Sequence, residues 1–199
     1  MSRSGAPAVG ADALAGTEWI AGSAESEADV AGALQGCHAV ISCLGTPFGT
    51  PESIRRINGD ANVAITAAAA AAGVERYVFV SAATFRVMER LFPDSWGAYF
   101  EGKRAAADAV AEHFGDRGAV LTPGIIFTES IEEARLQAGL GLKEAKMPSV
   151  VGVPLAAVFG QSPVQWAAKR VGPVGDFFTP PTCVVDVAEA AIAHAVAEA

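Results

Sequence analysis

Short apolar stretches alternate with longer alanine-rich stretches along much of the chain. Residues 39–45 are apolar and β-branched and end in glycine, which is typical of a strand buried on both faces. Residues 52–73 are dense in alanine, which predicts a helix of several turns closed by Gly73. A second buried strand is predicted at 76–84 and a further helix at 98–114. The pattern therefore begins as strand, helix, strand, helix.

The same alternation continues on both sides of this region. Residues 118–127 predict a third strand, broken at Pro123 and Gly124, and a last helix is predicted from Asp186. Residues 17–22 and 26–36 predict one more strand and helix near the start. Parallel strands need crossover connections, and these are usually helical. We therefore predict an α/β fold, a doubly wound, Rossmann-like parallel sheet with helices on both faces.

Composition narrows the classes of function. A length of 199 residues suits one domain, which we take as 1–199. With 14 basic and 22 acidic side chains the net charge is -8, which argues against a nucleic-acid partner. Three cysteines and three histidines lack ligand-like spacing, so no metal site is expected. No membrane span or targeting segment is predicted from the apolar patterning.

The first candidate site residues are those at the strand ends, because ligands of open parallel sheets bind at the carboxyl edge. Gly45, Ser81, Thr84, Pro123 and Gly124 lie just after predicted strands. A ligand site is therefore expected where these residues converge.

The helix predicted at 98–114 opens with Tyr99, and Lys103 follows one turn later on the same face. A phenol titrates near ~10, and a neighbouring ammonium favours the phenolate, so Lys103 is expected to lower the pKa of Tyr99 toward neutrality. Tyr99 then serves as general acid and base, while Ser81 or Thr84 polarises a substrate oxygen. The alternative is a solvated helix face without chemistry.

Four stretches carry a family resemblance: RYVFVSAATF, AYFEGKRAAADAV, VLTPGIIF and FTPPTCVVDVAEAAIAHAV. They resemble landmarks of the atypical short-chain dehydrogenase/reductases, the NAD(P)-binding epimerase/dehydratase-like proteins. The branch most similar to the chain is associated with coenzyme Q biosynthesis in mitochondria and has plastid relatives. The resemblance covers nearly the whole chain, and YFEGKRAA and FTPP are its most specific parts.

The resemblance implies a cofactor, NADP or NAD, and a set of site residues. In the family the positions of Tyr99 and Lys103 act on substrate and hold the nicotinamide ribose, with Ser81 as the accompanying hydroxyl. The implied cofactor-binding residues are Arg3, Cys43, Leu44, Gly45, Lys103, Pro123, Gly124 and Ile125. A small-molecule substrate, membership of a protein complex, and a mitochondrial or plastid location are further expectations.

The chain departs from the family at its start. No GxGxxG or GxxGxxG is present, although such a turn binds the pyrophosphate in the family. The opening MSRSGAP resembles the stretch after the second strand, where Arg3 would meet the 2′-phosphate of NADP. We therefore expect a fold shortened at its N-terminus that binds either dinucleotide weakly or not at all.

Residues 131–180 are expected to form the substrate side. Their apolar, Pro- and Gly-rich stretches suit a lid over a lipophilic substrate such as a quinone or isoprenoid precursor, and core packing with surface turns is the alternative. Two other interpretations of the whole chain stay open. One is a non-catalytic nucleotide-sensing or assembly subunit, and the other is an incomplete product without activity of its own.

Overall fold

The structure is a computed structural model that describes residues 1, 4–5, 16–127, 149–170, 176 and 178–197. Its main sheet has three parallel strands in the order β1-β2-β3. These are β1 (Ala39–Ser42), β2 (Arg76–Val80) and β3 (Gly118–Leu121). Val40 lies opposite Tyr77, which lies opposite Gly118. A second, two-stranded parallel pair joins β4 (Ile126–Phe127) to β5 (Thr182–Cys183).

Eight α-helices surround the strands in the described part of the chain. They are α1 (Glu27–Leu34), α2 (Pro51–Arg55), α3 (Ala61–Ala71), α4 (Arg86–Leu91), α5 (Ala98–Phe114), α6 (Ser149–Phe159), α7 (Ser162–Ala168) and α8 (Val184–Ala195). Turns of π-helix connect α2 to α3 (Arg56–Asp60) and precede α5 (Pro93–Gly97), and a 3-10 turn (Gly115–Arg117) follows α5. After α3 the chain reverses at Gly73, whose φ of 77° favours glycine, as predicted for this helix end.

The strands alternate their side chains between two helical layers. Tyr77 and Phe79 are fully buried on one face, in a core with side chains from α1, α3 and α5. Val78 points to the opposite face, where it packs with Ala191 and Ala195 of α8. Successive strand residues point to opposite faces, so both faces are covered only when helices lie on each side. The predicted doubly wound, Rossmann-like architecture is confirmed.

Some predicted boundaries are wrong. Residues 17–20 form no strand, and Ala21 makes only an isolated bridge. A strand needs a hydrogen-bonded neighbour along its length, and in this stretch only Ala21 pairs with one. The helix predicted at 52–73 is interrupted by the π turn at Arg56–Asp60. Arg3 and much of the predicted lid, residues 128–148, 171–175 and 177, lie outside the described residues.

Candidate functional site

A cleft of about 550 Å³ opens at the carboxyl ends of β1 and β2. It lies between these strand ends, the start of α5 and one side of α8. The lining residues are Ile41, Cys43, Gly45, Pro47, Val80, Ser81, Tyr99, Lys103, Ile126, Val184, Val187, Ala188, Ala191 and Ile192. The wall is thus mostly aliphatic, and its polar groups are concentrated on the strand ends and α5.

Lys103 is the central cation of this cleft, and only 5% of its surface is exposed. Its Nζ donates to the carbonyl oxygens of Leu44 at 3.1 Å and Val80 at 3.2 Å. These carbonyls follow β1 and end β2, so one ammonium ties two strand ends together. No carboxylate pairs with Lys103 among the described residues, and burial lowers its pKa to about 8. The ammonium is therefore held largely by dipoles at the floor of the cleft.

Tyr99 lies on the cleft wall one turn before Lys103 and is half-buried. Its ring packs edge-on against Phe100 at 5.1 Å and Trp96 at 5.8 Å between centroids. The Lys103 Nζ lies 5.8 Å from the centroid of the tyrosine ring. Burial raises the pKa of Tyr99 above its usual value. The expectation that Lys103 lowers this pKa is wrong, because desolvation of the phenolate outweighs the effect of an ammonium that is held by carbonyls.

The two hydroxyl candidates that follow β2 occupy different places. Ser81 lines the cleft, and its N–H donates to Leu121 O at 2.7 Å, which anchors its backbone to the end of β3. Thr84 is exposed and is not among the lining residues. Ser81, Tyr99 and Lys103 therefore share one cleft, and Thr84 lies apart from it.

The loop after β1 contributes Cys43 and Gly45 to the cleft, while the carbonyl of Leu44 holds Lys103. Burial raises the pKa of the Cys43 thiol, and the nearby Lys103 ammonium offsets part of the rise. A Cβ on Gly45 would lie 2.6 Å from Asn58 Oδ1 and 2.9 Å from Lys103 Nζ. Only a glycine therefore lets the loop backbone pass this close to Asn58 and the ammonium.

Two buried asparagines support the loop and were not anticipated from sequence. The Nδ2 of Asn58 donates to Thr46 O at 2.7 Å, and its Oδ1 accepts from Thr46 N at 3.2 Å. Asn62 donates to Leu44 O at 3.3 Å and accepts from Ser42 Oγ at 2.8 Å. Neither side chain has measurable exposure. The available signal was two poor helix formers, four residues apart, within an alanine-rich helix.

The backbone of α5 closely approaches the π turn that carries Asn58. A Cβ on Gly59 would lie 3.0 Å from Gly102 Cα, and one on Gly102 would lie 2.8 Å from Gly59 N. This contact places Lys103, the residue after Gly102, directly beneath the loop that follows β1. The glycine pair is thus part of the support of the site.

The Pro-Gly stretch lies beside the cleft and outside its lining. Pro123 is buried, and its carbonyl accepts from Ala83 N at 2.8 Å. Gly124 donates to Thr182 Oγ1 at 3.3 Å, and a Cβ on it would clash with Pro180 O.

Ile125 is 43% exposed. From this stretch only the following residue, Ile126, reaches the cleft wall.

The Pro-Gly stretch is instead joined to the FTPP sequence through Gly124, Pro180 and Thr182. This packing brings together two of the four stretches that carry the family resemblance. The remaining implied cofactor residue, Arg3, lies outside the described residues.

In another hollow of the described chain the charged side chains are all exposed. A hollow of about 580 Å³ between α1 and α3 is lined mainly by alanines, with Glu25 and Arg56 paired at its rim. No group of three potential metal ligands occurs among the described residues. Within the same residues, no helix is both long and apolar enough to cross a bilayer. The cleft at the strand ends is therefore the candidate site.

Comparison with known proteins gives a match over most of the chain. The model of a family described as NAD(P)H-binding matches residues 3–139. An uncharacterized chloroplastic protein of Arabidopsis thaliana is 30% identical over 164 residues, which cover 82% of this chain and 51% of that protein. The chain thus spans about half the length of the curated relative that it matches.

Two solved structures are more distant. A short-chain dehydrogenase/reductase superfamily protein from Agrobacterium tumefaciens, solved with bound NAD, is 21% identical with a TM-score of 0.47. The match covers 64% of this chain and 48% of that one. The protein gox2253 is 17% identical with a TM-score of 0.43, covering 61% and 43%. Similarity at this level identifies no function.

Proposed function

The chain belongs to the NAD(P)H-binding family, and from this premise we propose that it is an NAD(P)-dependent oxidoreductase or epimerase-like protein with a small, lipophilic substrate. The observation that carries the proposal is the setting of Lys103. A cation with only 5% of its surface exposed and no carboxylate partner in the described chain is costly to keep, and such groups cluster at functional sites. Ser81 and Tyr99 line the same cleft.

The described residues fit the nicotinamide and ribose half of the cofactor. Lys103 lines the cleft and its Nζ donates to two carbonyl oxygens, so its third N–H would be left to donate to a ribose hydroxyl. Cys43 lines the same cleft, and Leu44 provides one of the two carbonyls. The sequence contains no GxGxxG or GxxGxxG motif for the pyrophosphate, so we expect binding through these residues to be weak.

When bound, a nicotinamide supplies hydride transfer, and the residues of the cleft handle the proton. Because burial raises the pKa of Tyr99, its phenol stays protonated at neutral pH and donates the Oη proton to a substrate oxygen. Ser81 donates a hydrogen bond to the same oxygen. Lys103 would hold a ribose hydroxyl of the bound cofactor and would supply positive charge near the reacting groups.

The character of the cleft supports a lipophilic substrate. Its wall from α8 is made of aliphatic side chains, including Val184, Val187 and Ile192, and none of the described carboxylates lines it. A quinone or an isoprenoid precursor, as in the coenzyme Q branch, combines an apolar body with a carbonyl or hydroxyl for Tyr99 and Ser81. The chloroplast named for the Arabidopsis relative favours a plastid over a mitochondrion for this chain.

NADPH binding tests the cofactor half of this proposal. Fluorescence titration is compared between the wild-type chain, Lys103→Met, and Lys169→Met as an exposed control. We expect a dissociation constant weaker than about 100 μM for the wild type, since the sequence carries no GxGxxG motif for the pyrophosphate. Lys103→Met should weaken binding at least about tenfold, the value of one charge-assisted hydrogen bond, while the control stays unchanged.

Two results would contradict the proposal: no saturable binding by the wild type, or equal binding by Lys103→Met. Cofactor preference is read from the same titration with NADH. We propose NADP over NAD because Arg3 matches the family position at which an arginine meets the 2′-phosphate. Arg3→Ala should then weaken NADPH binding and leave NADH binding unchanged, and equal affinities in the wild type would remove this preference.

A further inference from the structure

Helix α6 consists almost entirely of apolar residues and yet reaches the protein surface near its C-terminal end. Its sequence, SVVGVPLAAVF, contains one polar residue, Ser149. Ala157 is exposed, and Val158 has 48% of its surface exposed. A helix that is hydrophobic all round normally lies in a protein core or in a membrane. The surface position of α6 therefore requires another apolar environment.

The next helix extends this surface. In α7, Pro163 and Ala167 are exposed and Trp166 is 60% exposed. The sequence contains no charged residue between Lys146 and Lys169. We call residues 149–170 the α6–α7 segment. It combines an exposed apolar surface with a complete absence of acidic side chains, in a chain of net charge -8.

A tryptophan and two basic residues mark one end of the segment. The guanidinium carbon of Arg170 lies 3.6 Å from the centroid of the Trp166 ring, and Arg170 Nη1 donates to Trp166 O at 3.1 Å. Lys169 is exposed beside it. An exposed indole next to cations is typical of side chains at the boundary between acyl chains and headgroups.

The dimensions of the segment exclude a crossing of the bilayer. Eleven helical residues in α6 extend about 16 Å, roughly half of a hydrocarbon core. The chain turns at Gly160 and Gln161 before α7 begins. A segment of this length and composition lies in the interface plane, with its apolar side chains among the upper acyl carbons.

We propose that the α6–α7 segment docks the protein on the surface of a bilayer that contains anionic lipid. Trp166, Val158 and Ala157 enter the acyl boundary, and Lys169 and Arg170 contact lipid phosphates. Charge complementarity supports lipid over a protein partner, because the segment presents positive charge alone at the rim of an apolar patch. Salt at about 0.1 M screens the acidic remainder of the protein beyond about 10 Å.

Contacts of the α6–α7 segment with Phe178 connect the segment to the cleft. Phe159 packs on Phe178 at 5.5 Å between centroids, and Gln165 Nε2 donates to Phe178 O at 2.8 Å. Phe178 shortly precedes β5, which leads directly into α8 and the Val184 side of the cleft. The docked segment is thus connected to the wall that receives an apolar substrate. The docking itself does not depend on the proposed function.

Co-sedimentation of the full chain with sucrose-loaded vesicles tests the proposal. Phosphatidylcholine vesicles are compared with vesicles that contain about 30 mol% phosphatidylglycerol in about 0.1 M salt. The variants expected to weaken lipid binding are Trp166→Ser and Lys169→Glu/Arg170→Glu. Their matched controls are Phe48→Ser, at a side chain 78% exposed, and Arg90→Glu/Arg117→Glu. Circular dichroism establishes that each variant is folded.

We expect the wild type to partition at least about tenfold more strongly into the anionic vesicles. Lys169→Glu/Arg170→Glu should remove this preference, and Trp166→Ser should weaken binding to both vesicles, while both controls bind like the wild type. The proposal is overturned if folded wild-type protein stays in the supernatant, or if the controls lose binding equally. Self-association that depends on Trp166, without vesicle binding, would instead identify a protein interface and also overturn it.

Discussion

Gly59 and Gly102 meet through their backbones where the π turn crosses α5. Each lacks a Cβ at a point where one would lie within 3.0 Å of the other's main chain. Gly59 follows Asn58, which holds the loop after β1, and Gly102 precedes Lys103, which donates to that loop. The contact between two glycines therefore sets the distance between the cation and the backbone that it holds.

Gly102→Ala should destabilise the fold by about 1–3 kcal/mol, because its methyl group would meet main-chain atoms that cannot move independently. Gly32→Ala is the matched control, since Gly32 is in α1 and a methyl group added there would meet nothing within 4 Å. The control should gain about 0.5–1 kcal/mol from helix propensity. Urea unfolding measures the stability of both variants. Equal effects would show that a methyl group fits between the π turn and α5.

Asn58→Ala should cost about 2–4 kcal/mol, because it removes the Asn58 donor from the partly buried carbonyl of Thr46 and the buried carbonyl of Ile54. Ser53→Ala, at a half-buried residue whose hydroxyl donates only to Thr50 O in an exposed turn, is expected to cost less than about 1 kcal/mol. Unfolding in urea compares the two. A loss in Asn58→Ala no larger than in the control would mean that the loop does not need this asparagine.

Lys103 should make stability depend on pH in the alkaline range. Its pKa falls from 10.5 to about 8 in the folded state, so between these values the unfolded chain binds more protons and stability rises with pH. Relative to Lys103→Met, the wild type should gain about 2–3 kcal/mol between pH 7 and pH 10.

The measurement is the free energy of unfolding of both proteins at the two pH values. Lys169→Met is the control, and its difference from the wild type should stay constant because Lys169 is exposed. A constant difference for Lys103→Met would show that the ammonium is not desolvated as its burial implies.

Tyr99→Phe separates an enzyme from a nucleotide-sensing or assembly subunit. If Tyr99 donates the substrate proton, turnover of a short-chain quinone with NADPH should fall by about 10²–10⁴-fold while NADPH affinity is unchanged. The ring packing on Trp96 and Phe100 does not involve the hydroxyl, so the fold should be retained. Turnover equal to that of the wild type would remove Tyr99 from the reaction.

Elements with strong local signals were predictable. The helix at Ala98–Phe114 and the strand core at Arg76–Val80 follow from composition and from turn residues such as Gly73. The parallel arrangement with helices on both faces also follows, because each crossover between parallel strands needs a helix-sized connection. The position of a cleft at the strand ends is a consequence of the same topology.

The interruption after α2 was not predictable from composition. The π turn at Arg56–Asp60 lies where Gly59 touches Gly102, a residue distant in sequence. The strand expected at 17–22 is not formed for a related reason. A strand forms by pairing with a neighbour, and a local sequence pattern does not identify that neighbour. Tertiary contacts override propensity at both places.

By itself the sequence determined the alternation of elements, the pairing of Tyr99 with Lys103 on one helical turn, and the absence of a GxGxxG motif. Only the tertiary structure decided the pKa values of the Tyr99 and Lys103 side chains. Residues from β1, β2 and α5 enclose Lys103 and Tyr99, and desolvation there lowers the pKa of the lysine and raises that of the tyrosine. The free energy of a charge depends on everything that surrounds it in space, and residues distant along the chain provide those surroundings.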